Sequence, residues 1–194
     1  DLCSLRPNED RPVLACHMTI SKEGKLIKQK FTRAVIHSHA RLTYDQVMDA
    51  INGNFDDLTE ELWNRNLKDA YACFKVLVKA REKRHALDLD MPETKIIVGH
   101  NGEIVDVAKR ERHDAHRLIE ELMIIANVAA AEALEQKKAP CIYRVHPAPS
   151  PEKLENLRIV LREYNFKLEK MADINPKHLT GIIKMIHDHP EEEL

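Results

Sequence analysis

The stretch RHDAHRLIEELMIIANVAAAEALEQKK, residues 112–138, decides the fold class. Apolar side chains recur along it every three or four residues, which predicts a helix with one buried face. That face carries Leu118, Leu122, Ile125 and Ala129, flanked by Ile119, Met123, Ala126 and Ala130. A carboxylate near a helix N-terminus can accept the free backbone N–H groups there. We therefore predict a long helix that begins near Asp114 and ends at lysines 137 and 138.

The opposite side of this helix has an unusual composition. At about 100° per residue it carries His116, Glu120 and Asn127, with His113, Ile124 and Ala131 nearby. A solvent-exposed face would carry pairs of lysine and glutamate, so we predict that the helix is covered on both sides. A covered carboxylate needs a partner. For Glu120 two alternatives stay open: an arginine or backbone N–H within the fold, or a bound ligand.

The composition bounds the class of protein. The chain has 194 residues, of which 43% are hydrophobic and 32% charged, and its net charge is −2. These values are typical of a globular domain with a hydrophobic core. The small net charge argues against nucleic-acid binding through a global basic field. It does not exclude a narrow channel with local positive charge.

The four cysteines lie far apart in the sequence, at positions 3, 16, 73 and 141. Without a C-x-x-C pair they form neither a disulfide framework nor a zinc knuckle, so a reducing, cytoplasmic location is expected. No apolar run approaches the roughly 20 residues that span a bilayer, and no secretory signal is predicted.

The first half of the chain predicts a β-hairpin followed by helices. Strands are expected at residues 11–20 and 26–38, around a turn that contains Gly24. A short helix should follow Thr43 as its N-cap and end before Gly53. One long helix is expected over residues 57–86, opened by Thr59. Its packing side is Leu62, Leu67, Ala70, Phe74, Leu77 and Val78.

The second half predicts a further hairpin and helices. Two short strands should flank the Asn101–Gly102 turn. Residues 139–154 should form a strand that leads into a proline-rich loop. A helix should follow with Ser150 as N-cap and Pro151 at its first position, and residues 175–190 should be helical. The fold class is thus α/β (mixed α+β), with β-hairpins and short strands packed against several long helices.

Few short motifs indicate chemistry. There is no P-loop, G-x-G-x-x-G or H-E-x-x-H motif. His113, His116 and Glu120 have the spacing of a possible metal-ligand face, although a structural role is favoured. His37 and His39 share a face at a strand end and are expected to pack. Tyr44 lies where a strand passes into a helix, so its ring either lines a cleft and stacks on a base or ribose, or packs on the core.

Four blocks, taken together and in order, resemble a known family. They are residues 1–21, 34–47, 113–134 and 143–157. In this order they are similar to the catalytic (RNB) domain of the ribonuclease II and RNase R family. The segments HALDLDMPETK and RVHPAPSPEKL resemble the RNase R side of the family more closely.

The resemblance implies a processive 3′-to-5′ hydrolytic exoribonuclease that degrades single-stranded RNA to nucleoside 5′-monophosphates, with Mg²⁺ held by an aspartate cluster. In the family that cluster precedes the DLCSL block, and an arginine motif follows the segment equivalent to this chain. Residues 1–194 are therefore expected to be a single partial domain, the central part of an RNB domain, inactive alone and with Mg²⁺ ligands outside this chain. The full-length form is expected to be a monomer. The alternative is a non-catalytic RNA-binding or scaffold module that has lost its nuclease centre.

Three positions match family residues that contact RNA. Tyr44 matches a tyrosine that lines the RNA path, and Glu120 matches a glutamate that contacts the ribose of the 3′-terminal nucleotide. Leu89 occupies a position where the family often has a phenylalanine that clamps the last bases. Since leucine has no π-face, the resemblance implies a weaker clamp at Leu89.

Overall fold

The computed structural model describes residues 3–88, 93–110, 112–168 and 174–187. The chain divides into two compact units. One comprises Asp1–Ala80 with Asp90–Pro140, and the other comprises Arg81–Leu89 with Cys141–Leu194.

The first unit begins with a long antiparallel hairpin. Strand β1 is Asp10–Ile20 and strand β2 is Leu26–His37, as the alternating sequence predicts. The turn between them contains Gly24, whose N–H donates to the carbonyl oxygen of Ser21 at 3.0 Å. Gly24 has φ +77°, in the left-handed region that suits glycine.

Two helices follow, and each begins after a residue whose side chain caps it. Helix α1 is Tyr44–Ile51, with Thr43 and Gln46 forming a capping box. Helix α2 is Asp57–Leu62, and its N-cap is Asp56. The prediction that Thr59 opens this helix is wrong because the Asp56 carboxylate accepts the N–H groups of Leu58 and Thr59 at 3.1 and 2.7 Å. The backbone hydrogen bond from Thr59 contributes most to lowering the pKa of Asp56.

A π-helical segment interrupts the long helix that the sequence predicts. It spans Trp63–Leu67 and joins α2 to helix α3, Lys68–Lys83. The N–H of Lys68 donates to the carbonyl oxygen of Trp63, five residues earlier. Leu62 and Leu67 are also five residues apart, and the wider turn lets both contribute to a packing side that continues through the buried Phe74.

A second hairpin and the longest helix complete this unit. Strands β3, Glu93–Val98, and β4, Ile104–Arg110, pair in antiparallel fashion around the predicted turn. Helix α4 is Asp114–Gln136 and contacts α1, β1 and β2. Its buried residues are Ala115, Leu118, Glu121, Ile125 and Ala129.

The expectation that α4 is covered on both sides is wrong for its second half within the described residues. Asn127 is exposed, and Ile124 and Val128 are 38% and 44% exposed. His116 and Glu120, nearer the start of the helix, are half-buried. The exposed residues of this side therefore lie in the second half of the helix.

In the second unit, two further helices lie within the described residues. Helix α5 is Pro151–Glu163, with the predicted Ser150 cap, and helix α6 is Pro176–His187. The strand predicted within residues 139–154 is wrong: residues 139–150 have no regular structure, and Ile142 is fully exposed. A strand requires a hydrogen-bonded neighbour, and this segment pairs with no strand among the described residues.

Two further findings concern the class of protein. All four cysteines are free thiols, as their spacing predicts. No helix in the described ranges combines the length and the apolar character needed to cross a bilayer.

Candidate nucleic-acid interface

The ring of Tyr44 stacks on the ring of His116. The centroids lie 3.9 Å apart and the planes are inclined by 25°. Tyr44 is the first residue of α1, whereas His116 lies in the first turn of α4, so the contact between these helices creates the pair. Tyr44 is nevertheless 41% exposed. The pair is thus an aromatic surface with solvent access, which is the arrangement that base stacking requires.

His113 and His116 form the cap of α4. His113 is the N-cap residue, and its backbone N–H donates to Nδ1 of His116 at 3.3 Å. Nε2 of His113 lies 3.9 Å from Oδ1 of Asp45 in α1. The three-residue spacing of these histidines therefore reflects helix capping.

Glu120 lies one turn further along α4 and is paired with an arginine. Nη2 of Arg112 donates to Oε2 of Glu120 at 2.6 Å. The side chains are 28% and 39% exposed, respectively. An arginine within the fold was one of the two alternatives that the sequence left open for Glu120. A carboxylate has about four lone-pair directions, so the bond from Arg112 does not exclude accepting a ligand hydroxyl.

The neighbouring acid, Glu121, has a different environment. It is 5% exposed and belongs to the buried face of α4. Sequence reasoning overlooked this residue, although its spacing contains the signal: it lies three residues after Leu118 and four before Ile125. Two adjacent glutamates therefore divide between the core and the accessible side of one helix.

Asp114 connects the start of α4 to α3. Its Oδ2 accepts a hydrogen bond from the hydroxyl of Tyr71 at 3.0 Å, and its Oδ1 lies 3.5 Å from Nη1 of Arg117. Partial burial, together with the hydrogen bond to Asp114, raises the pKa of Tyr71. Asp114 thus anchors the helix that carries His116 and Glu120.

The described residues do not fit a magnesium or zinc centre. Within those ranges, no group of three or more His, Cys, Asp or Glu side chains is arranged to hold a metal ion. His116 and Glu120 have the intramolecular contacts given above. His37, the other histidine singled out by spacing, bonds through Nδ1 to Oδ1 of Asp10 on the paired strand at 2.8 Å.

Of the three residues singled out for RNA contact, the structure brings two to the same region of the first unit. Tyr44 contacts α4 at His116, and Glu120 follows His116 by one helical turn. Leu89 lies outside the described residues. Asn127, which shares the helix side with Glu120 in projection, is exposed two turns away.

Comparison with known proteins defines the class of protein. The chain belongs to the RNB domain family, whose model matches residues 1–194. It is 37% identical over 195 residues to ribonuclease R of Escherichia coli K12. That alignment covers 100% of this chain and 24% of the E. coli protein. It is also 38% identical over 199 residues to ribonuclease R of Aquifex aeolicus. That alignment covers 100% of this chain and 28% of the Aquifex protein.

A solved relative has the same fold. Mycoplasma genitalium RNase R, in complex with ribose methylated single-stranded RNA, matches with a TM-score of 0.90 and 30% identity. The match covers 99% of this chain and 30% of that one. The chain spans about a quarter to 30% of the length of these relatives. The resemblance expected from the four sequence blocks is confirmed.

Proposed function

We propose that residues 1–194 are part of a 3′-to-5′ hydrolytic exoribonuclease that degrades single-stranded RNA processively to nucleoside 5′-monophosphates. The observation that carries this proposal is the match to the RNB family over the whole chain. The similarity to ribonuclease R and to a relative solved with RNA supports it. The site adds an accessible aromatic stack near a carboxylate, which suits single-stranded RNA.

Each candidate residue has a specific role in this proposal. Tyr44 stacks on a nucleobase along the RNA path. Glu120 accepts a hydrogen bond from the 2′-hydroxyl of the 3′-terminal ribose, a group that DNA lacks. Leu89 packs against one of the last bases through apolar contact. The Arg112 bond supports the role of Glu120 because it restrains the carboxylate before RNA arrives.

The metal chemistry in this proposal comes from outside residues 1–194. Mg²⁺ bound by carboxylates would activate water and neutralise charge on the phosphodiester. These 194 residues then contact RNA and are inactive alone. We further propose that the full-length protein is a cytoplasmic monomer.

The test compares two lengths of protein and two chemistries of substrate. The full-length protein and residues 1–194 are each incubated with 5′-labelled single-stranded RNA and Mg²⁺. Only the full-length protein should shorten the RNA from its 3′ end. If the full-length protein binds RNA without shortening it, the non-catalytic module is the correct description. Degradation by residues 1–194 would show that the ligands lie within them.

The role of Glu120 is tested in the same assay with a substrate whose 3′-terminal nucleotide lacks the 2′-hydroxyl. The wild-type protein should prefer the ribose end, and Glu120→Ala should reduce that preference about tenfold, as loss of one hydrogen bond to a charged group implies. Glu132→Ala is the matched control, because Glu132 is an exposed glutamate of the same helix. An unchanged preference in Glu120→Ala would refute the assignment.

A further inference from the structure

Tyr44 combines a stacking contact with exposure to solvent. One face lies against His116 at a centroid distance of 3.9 Å. The residue as a whole is still 41% exposed. A ring that already stacks on one side can accept a second planar group only on its other side.

The His116 ring is itself held in place. Its Nδ1 accepts the backbone N–H of His113 at 3.3 Å, which ties the ring to the start of α4. An accepting Nδ1 carries no proton, so the neutral ring bears its proton on Nε2. The orientation of the supporting ring therefore follows from the cap of α4.

We propose that His116 is a positioning residue that holds the Tyr44 ring, through stacking, in the orientation that receives a nucleobase on its opposite face. The proposal rests on the proposed function of Tyr44 in RNA binding and assigns His116 a part in it. A free tyrosine side chain at a helix start would lose rotamer freedom when a base stacked on it. A tyrosine already held by His116 has lost that freedom before RNA binds.

Two substitutions separate the ring of His116 from its capping nitrogen. His116→Phe keeps an aromatic ring beneath Tyr44 but removes the acceptor for the His113 N–H. His116→Asn keeps an acceptor close to the position of Nδ1 but removes the ring. His116→Ala removes both the ring and the acceptor. Tyr44→Ala gives the effect of losing the Tyr44 ring itself, with which the other variants are compared. His100→Ala, an exposed histidine in the turn between β3 and β4, is the matched control.

The measurements use the full-length protein. The Kd for a 5′-fluorescein-labelled oligoadenylate is measured with EDTA present, and the length of the final product is measured with Mg²⁺. His116→Phe should bind within about twofold of the wild type. His116→Asn and His116→Ala should bind about three- to tenfold more weakly and change product length in the same direction as Tyr44→Ala.

Three outcomes would overturn the proposal. His116→Asn could match the wild type in both measurements, which would make the ring irrelevant. His116→Phe could bind as weakly as His116→Ala, which would assign the effect to the helix cap. Tyr44→Ala could leave both measurements unchanged while the wild type degrades RNA. A wild type that neither binds nor degrades RNA would instead refute the proposed function, and this inference with it. Thermal unfolding identifies any variant that fails to fold. If His116→Ala fails to fold, the results for His116→Asn test the proposal in its place.

Discussion

Nη2 of Arg112 and Oε2 of Glu120 lie 2.6 Å apart and join a residue that precedes helix α4 to one in its second turn. The pair spans eight residues of sequence. A charged N–H that binds one carboxylate oxygen restrains the direction of the other. The preference of Glu120 for any ligand should therefore depend on Arg112, even if Arg112 never contacts that ligand.

Replacing Arg112 should reduce discrimination for a 3′-terminal ribose. Because the pair is partly exposed, its contribution is at most about 1 kcal/mol. Arg112→Ala should thus lower the ratio of rates on ribose-ended and 2′-deoxy-ended RNA about two- to fivefold. Arg112→Lys should fall between, since lysine keeps the charge but not the planar geometry. Arg33→Ala, an exposed arginine of β2, is the control, and a ratio unaffected by Arg112→Ala would contradict the prediction.

Tyr71→Phe should destabilise the first unit in a pH-dependent way. The lost hydrogen bond to Asp114 should lower the free energy of unfolding by about 1 kcal/mol at pH 7. Burial is the largest cause of the raised pKa of Tyr71. A raised pKa means that the stabilisation is complete below about pH 10 and is lost as the pH rises through the folded-state pKa.

Urea denaturation between pH 7 and 11 tests this sign. The difference in unfolding free energy between wild type and Tyr71→Phe should shrink above about pH 10. Tyr164→Phe, at a half-buried tyrosine of the second unit, should show a smaller effect at every pH. A difference that grows with alkaline pH would show that the pKa is lowered.

Two glycines with similar φ angles should differ in how much their substitution by alanine lowers the free energy of unfolding. Gly24 has φ +77°, and a Cβ there would lie 2.5 Å from Cβ of Ala80 and 3.0 Å from the carbonyl oxygen of Val76. Gly53 has φ +89°, and a Cβ there meets no atom within 4 Å. Gly53→Ala should lower the free energy of unfolding by about 1 kcal/mol through backbone strain alone. Gly24→Ala should cost about 2–4 kcal/mol because the steric overlap adds to that strain.

Urea denaturation of the two variants measures this difference. Equal losses of unfolding free energy would mean that the turn moves away from α3 at little cost. A larger loss for Gly24→Ala would confirm that the β1–β2 turn packs closely on the helix.

Local sequence signals predicted the elements that depend on neighbouring residues. The turn at Gly24, the cap at Thr43 and the Ser150–Pro151 helix start all formed as expected. The strand predicted near Ile142 did not form, because the pattern of apolar and polar residues indicates only the tendency of that one segment to form a β-strand. Its hydrogen-bonding partner is a property of other segments, which the pattern does not contain.

The candidate site was predictable in part for the same reason. Helical spacing placed His116 and Glu120 on one side of α4, and both are half-buried there. It could not supply Arg112 as the partner of Glu120, since that contact depends on how the chain enters the helix. It also could not bring Tyr44 onto His116, because the two residues are 72 positions apart and meet only through packing of α1 on α4.

The π-helical segment between α2 and α3 has a consequence for insertions and deletions. Its hydrogen bonds reach back five residues, so it holds one residue more than an α-helical turn requires. Removing one residue within Trp63–Leu67 would let the segment become ordinary α-helix, with the side chains on either side keeping their directions. The same deletion inside α3 would rotate everything after it by about 100° and turn Phe74 or Leu77 out of the core. Natural length variation in this helix should therefore concentrate at Trp63–Leu67.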